Sequence, residues 1–436
     1  KALKMKSKLI NTNLALVFCA CIGFAQNNDT LTTKSDKKPI KVSFLSNYYE
    51  QDGNRGATNG GIGSQELYSY TNEATIYLPV KKKIGIKLNG GVDYYTAASY
   101  LDIDKYKTSA SSGNSGVSSD ETRKYGGIGL DINNKDESVT AAPYFGVSKE
   151  YDVNSYTFGY THSIKNKEKN SALTFKASAI IDRWMLIYPG EFRTASEVDA
   201  SSGASDKGTK IHPNVTPIEV TGRTITKDGK TYGVDYRYSG ALGSNYAFAI
   251  NKKMNGLVGV DGILQKGMLS TPYYRVYFRD GVTDEYTKLA KIEKLPEQRY
   301  KIALYARYNW FMNKLVVMRS SVRLYKDDWG INSFTFDAAF PVKVTKQFSF
   351  APFYRFHTQT ASKFFAGYGR HELSDVYYTS DFDLANVHSN KFGGTIRFVP
   401  FRKLINIKSL DLRYAQYFRS DGLKAGTVSA EVNFEF

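Results

Sequence analysis

Val428-Ser429-Ala430-Glu431-Val432-Asn433-Phe434-Glu435-Phe436 closes the chain, and its reading decides the fold. Val428, Ala430, Val432, Phe434 and Phe436 alternate with Ser429, Glu431, Asn433 and Glu435. A strand turns successive side chains to opposite faces, so this one has an apolar face and a polar face. Lipid outside and a watery lumen inside call for that pattern. The terminal Phe matches the ending by which barrel-assembly machinery selects outer-membrane barrels for insertion.

The same alternation recurs upstream. Tyr300, Ile302, Leu304, Ala306, Tyr308 and Trp310 share a face opposite Arg299, Lys301, Tyr305, Arg307 and Asn309. Phe334, Phe336, Ala338, Phe340 and Val342 oppose Ser333, Thr335 and Asp337. Ile84, Ile86, Leu88 and Val92 oppose Lys87, Asn89 and Asp93. The fold class expected is all-β, an antiparallel transmembrane β-barrel of about sixteen strands. The spans are 40–50, 66–78, 84–98, 122–132, 137–151, 153–164, 171–186, 233–250, 256–270, 299–312, 315–326, 331–345, 347–360, 389–399, 408–419 and 425–436. Connections are mostly long after odd strands (51–65, 99–121, 187–232, 271–298, 361–388) and short after even ones. That rhythm predicts short periplasmic turns, long outer loops and both termini in the periplasm. Pro143, Pro341 and Pro352 fall inside strands and predict bulges there.

Composition agrees. The 436 residues carry a formal charge of +17 and are 14% aromatic, with 33 Tyr and 26 Phe against 3 Trp. Mean hydropathy is only −0.41. No apolar run of about eighteen residues occurs beyond the N-terminus, which excludes helical spans. So many aromatics also argue against disorder. Residues 1–25 read as a signal peptide: Lys4, Lys6 and Lys8 around Met5, an apolar core from Leu9 to Phe24, and cleavage before Gln26. Cys21 after Ala20 leaves a lipoprotein variant open, although Phe18 stands where Leu is usual. Residues 26–39 form a polar periplasmic tether, and the barrel occupies 40–436. Both cysteines, Cys19 and Cys21, lie in the leader, so the mature chain has no thiol chemistry. The leader holds four lysines and no acid, which leaves 17 − 4 = +13.

Ser46-Asn47-Tyr48-Tyr49-Glu50-Gln51-Asp52-Gly53-Asn54-Arg55, Tyr188-Pro189-Gly190-Glu191 and Leu269-Ser270-Thr271-Pro272-Tyr273 are distinctive. So are Tyr325-Lys326-Asp327-Asp328-Trp329-Gly330-Ile331 and Tyr378-Thr379-Ser380-Asp381-Phe382-Asp383-Leu384. With these motifs the chain resembles an uncharacterised outer-membrane family of the Bacteroidota, a domain of unknown function. The resemblance implies a barrel and a compartment but no activity. It further implies an envelope protein partner, in a setting of small lipoproteins and thioredoxin-like or flavin-attachment proteins.

By parity Arg299, Arg307, Arg319, Arg323, Arg355, Arg397 and Arg413 face the lumen, with Asp337 and Asp411 among the acids there. One reading is a basic lumen that favours anions. The other is that Arg, Asp and Tyr pair across the interior and fill it. Asp327, Asp328, His357, His371, Asp381 and Asp383 gather near the predicted mouth. They would form a small-ligand or hydrolytic site, or an interface belt of polar anchors. Asp102-Ile103-Asp104 and Asp381-Phe382-Asp383 lack the Gly and Glu of a calcium loop, so no metal is expected. No cofactor or enzymatic activity is expected. No nucleic-acid partner is expected either, because the charge is spread along the chain rather than grouped in a patch. Lys81-Lys82-Lys83 would meet anionic outer-membrane lipid. Two classes remain: a porin-like channel of unknown cargo, and a non-conducting scaffold barrel.

Overall fold

The computed structural model describes residues 38–96, 120–189, 192, 218–219, 222–227, 230–279, 286–401 and 406–436. Residues 1–37, which hold the expected leader and most of the expected tether, lie outside the described residues, as do Asp102 and Asp104.

Sixteen antiparallel strands follow one another around a closed ring. They are β1 Lys41–Asp52, β2 Leu67–Lys81, β3 Ile84–Thr96, β4 Asp120–Asn133, β5 Val139–Lys149, β6 Val153–Asn166, β7 Ser171–Leu186 and β8 Lys230–Asn251. Then come β9 Met254–Gly267, β10 Gln298–Phe311, β11 Val317–Asp327, β12 Asn332–Ala339, β13 Phe348–Gln359, β14 Val387–Phe398, β15 Ile407–Arg419 and β16 Lys424–Glu435. Each strand pairs with its sequence neighbours, and β16 pairs with β1 from Lys41↔Glu435 to Asp52↔Lys424. Phe436 completes the seam: its N–H reaches the Ile40 carbonyl at 3.0 Å, and its own carbonyl takes the Ile40 N–H at 3.1 Å. Closure leaves no sheet edge, which is what a chain without water around its backbone requires. No helix among the described residues is long and apolar enough to cross a membrane.

The two faces invert the arrangement of a soluble protein. Phe158, Tyr160, Leu242, Tyr300, Ile302, Leu304 and Val428 are exposed on the outer wall. Buried or inward-facing positions hold Asp93, Asp182, Asp327 and Asp411. An apolar belt of that extent around a polar interior defines a transmembrane β-barrel.

The prolines behave differently from expectation. Pro143 leaves a gap, the β4–β5 ladder passing from Gly129↔Tyr144 to Ile132↔Ala141 in one register. Pro341 interrupts β12, which resumes at Val342–Lys343 with its register on β13 unchanged. Pro352 sits in an unbroken pairing with β14. A missing N–H removes one bond and inserts no residue, so none of the three makes a bulge. The register shifts fall instead at Pro79/Lys81, Met254/Asn255 and Ile407/Ser409, beside the short turns.

Long connections gather at one end and both described termini at the other. The loop after β9 contains a hairpin, Arg275–Arg279 against Tyr286–Ile292. It crosses the mouth. Half-buried Tyr273 faces the charges of Asp152 and Glu150 in the β5–β6 turn, and Tyr274 those of Asp381 and Asp383 between β13 and β14, eight strands away. Val276 and Phe278 are completely buried, and Phe278 meets Tyr378 edge-on at 4.9 Å. Phe192 and Ala290 form a second apolar cluster with Tyr188, Ile218, Tyr277 and Ile292. The β1–β2 loop closes over the hairpin. Arg275 donates to the Thr58 carbonyl at 2.6 Å, and Gly60, at φ 77°, lies where any Cβ would strike the Tyr277 ring.

Candidate functional site

Beneath this cap the inward face carries the arginines. Arg397 grips Asp411 through two bonds of 2.6 and 2.8 Å, and the carboxylate is fully buried. Arg413 pairs with Glu431 at 2.5 Å and lies 4.0 Å from Asp411. Arg355 pairs with Asp337, which also accepts the Ser321 hydroxyl at 3.1 Å. Elsewhere on the wall Arg123 meets Asp93, Arg237 meets Asp182 at 2.8 Å, and Lys87 meets Asp131 at 2.8 Å. Arg299 belongs to the rim. It holds Asp327 at 2.5 Å and lies 4.3 Å from the Trp329 ring centroid.

Arg307, Arg319 and Arg323 differ. None makes an ion pair or a side-chain hydrogen bond among the described residues. Their exposure is to the lumen, since β10 and β11 turn Leu304 and Leu324 outward. Arg307, Arg319, Asn255, Asn309 and Asp337 line a cavity of about 650 Å³ in the short-turn half of the barrel. Glu73, whose carboxylate accepts the Tyr125 hydroxyl at 2.7 Å, stands on β2, eight strands away on the opposite wall.

The mouth residues do not converge on one pocket. His357 Nδ1 lies 2.8 Å from Thr335 Oγ1, and its Nε2 lies 3.4 Å from Gln359 Oε1. His371 is buried in the cap, with Asp375 Oδ2 at 3.0 Å and the Thr379 carbonyl at 2.9 Å on its two ring nitrogens. The Asp328 carboxylate accepts the Tyr300 N–H at 3.0 Å. Asp381 caps the turn Phe382–Leu384 by accepting the Asp383 N–H at 3.0 Å. Asp383 pairs with Arg419 at 2.5 Å, and Arg419 also holds Asp421 at 2.7 Å. These groups brace the cap against the barrel rim.

One residue of the cap escaped sequence reasoning. Glu293 is buried, with the Thr379 hydroxyl at 2.5 Å and the Thr271 N–H at 2.7 Å, and no cation among the described residues pairs with it. Burial pushes its carboxyl up to about 8. Asp381 is also raised, by burial and then by the Asp383 charge. A neutral acid buried in the packed cap must ionise when it reaches water. The cap is therefore firmest in acid and loosens as pH rises from the ordinary carboxylate range through about 8. The protection of amides 275–279, their exchange corrected for its intrinsic rise with pH, should fall over that window, and Glu293→Gln should flatten the change. A wild-type profile independent of pH would contradict this.

A closed transmembrane barrel capped by its own loops is the class these features define. Family comparison then places it: the chain belongs to the family described as protein of unknown function (DUF3570), matched over residues 90–430. No curated protein matches its sequence. Among solved structures it is similar to a bacterial polysaccharide outer membrane secretin (TM-score 0.41, 8% identity, 91% of this chain and 98% of that one). It is also similar to the ferric enterobactin receptor of Pseudomonas aeruginosa (0.42, 9%, 88% and 54%) and the siderophore receptor PirA of Acinetobacter baumannii (0.41, 11%, 88% and 54%). The chain spans about half the length of those two receptors.

Proposed function

We propose that the protein is an outer-membrane channel for anionic solutes, entered past a loop cap and lined on one wall by free arginines. Its short turns and both termini face the periplasm, as the loop asymmetry of such barrels requires. The observation that carries this reading is the state of Arg307, Arg319 and Arg323. Arg299, Arg355, Arg397 and Arg413 have carboxylate partners and can be interior filling, whereas these three present guanidinium groups to the lumen. Unpaired cations in a confined space of low dielectric raise the local concentration of anions. The tight packing of Val276 and Phe278 favours a second reading, a non-conducting scaffold barrel whose cap meets envelope partners.

Replacing Arg307, Arg319 and Arg323 together by Gln removes charge and keeps hydrogen-bonding capacity. In planar bilayers under a salt gradient, the reversal potential should move toward weaker anion preference. Unchanged selectivity would remove the basic-lumen channel, and a wild-type protein without conductance would leave the scaffold reading in its place.

A further inference from the structure

We infer that Arg307, Arg319 and Arg323 form a binding station for phosphate-class oxyanions, either free phosphate or the phosphoryl group of a small solute. This rests on the channel reading for its role in transport, though the site itself stands on register. Arg307 lies opposite Ser321 in the β10–β11 ladder, Arg319 opposite Asn309 and Arg323 opposite Tyr305. Arg319 and Arg323 are thus the two diagonal neighbours of Arg307 on one inward face, each about 7–8 Å from it between Cα atoms.

Three like charges so placed repel one another, and none of the three has an acid as its cross-strand partner. Asp337, opposite Ser321 from the other side, is held by Arg355. Asp261, on the adjoining β9, makes no ion pair and stands opposite Ala303, four residues along β10 from Arg307. The arrangement is stable when an anion sits among the guanidiniums.

Phosphate chemistry fits better than a halide or a single carboxylate. A guanidinium presents paired N–H donors that match two oxygens of a phosphoryl group, and a third oxygen remains for another arginine. A carboxylate has two oxygens and is satisfied by one arginine. Chloride has no directional acceptors to exploit the fork. Asn309 Nδ2 donates to Asn255 Oδ1 at 2.7 Å, and both amides line one cavity with Arg307 and Arg319, while Arg323 stands two positions beyond Ser321 on the mouth side. At about 650 Å³ the cavity admits a small phosphorylated solute as well as the free ion.

The test is calorimetric titration of the purified detergent-solubilised barrel with inorganic phosphate, glycerol phosphate and chloride at matched ionic strength. Saturable heat is expected for one or both phosphates and not for chloride. Binding of inorganic phosphate alone assigns the free ion, and binding of glycerol phosphate assigns the phosphoryl group. Arg319→Gln should weaken binding about tenfold, the loss of a charge-assisted contact. Lys87→Gln, which removes a lumenal cation from the β3 wall, should leave it unchanged. Equal response to all three anions, or equal loss from both variants, would overturn the station as mere charge screening. Phosphate binding by a barrel that passes no current would sustain the station and remove the channel. Current without phosphate binding would do the reverse.

Discussion

Asp327→Ala is expected to destabilise the barrel by about 3–5 kcal/mol, the usual cost of removing one partner of a buried ion pair. The Asp327 side chain is wholly buried and that of Arg299 is 13% exposed, so water screens neither. The carboxylate also accepts the Tyr325 hydroxyl at 2.8 Å and the Ile331 N–H at 2.9 Å. Its loss strands a guanidinium under Trp329 and a backbone donor at the β11–β12 connection. Asp327→Asn should cost less, because it keeps an acceptor for Ile331. Arg299→Met combined with Asp327→Leu should recover part of the loss by removing both charges. Unfolding in urea from lipid vesicles reads all three. An alanine variant as stable as wild type would show that the rim pair contributes nothing.

Excising residues 275–292 should raise conductance severalfold while leaving the barrel intact. The Glu293 N–H bonds the Tyr274 carbonyl at 2.9 Å, so a two-residue Asn-Gly turn can join those positions without strain. The excised hairpin carries Val276 and Phe278, the completely buried apolar centre of the cap. None of the sixteen ladders uses it. Without that centre, the loop between β13 and β14 loses the partner of Tyr378 and the mouth opens. Single-channel recording would show the change, and conductance equal to that of the parent would place the barrier elsewhere in the lumen.

The barrel itself was legible because alternation is local: Val428 to Phe436 shows its two faces without reference to any other strand. Sixteen strands and the long-short rhythm appear in the structure, with ends displaced by a few residues, as for β8 at Lys230–Asn251 against the expected 233–250. The cap was not legible. Its core draws Phe192, Val276, Phe278 and Tyr378 from three separate loops, and such a cluster leaves no period along the chain. Parity assigned the arginines a face but no partner, since partnership depends on cross-strand register. Asp411 falls opposite Arg397 and Asp337 opposite Arg355, while Ser321 falls opposite Arg307. That one difference in register separates filled wall from free charge. Glu293 gave no signal at all, because its burial comes from the folding of a loop.

The most direct measurement is the reversal potential of the wild-type protein and of the 275–292 excision, in planar bilayers across a potassium chloride gradient at neutral pH. The account predicts current in both, larger in the excision, with a potential whose sign shows anions crossing faster than cations. Cation preference, or a silent barrel even after the cap is removed, would contradict it.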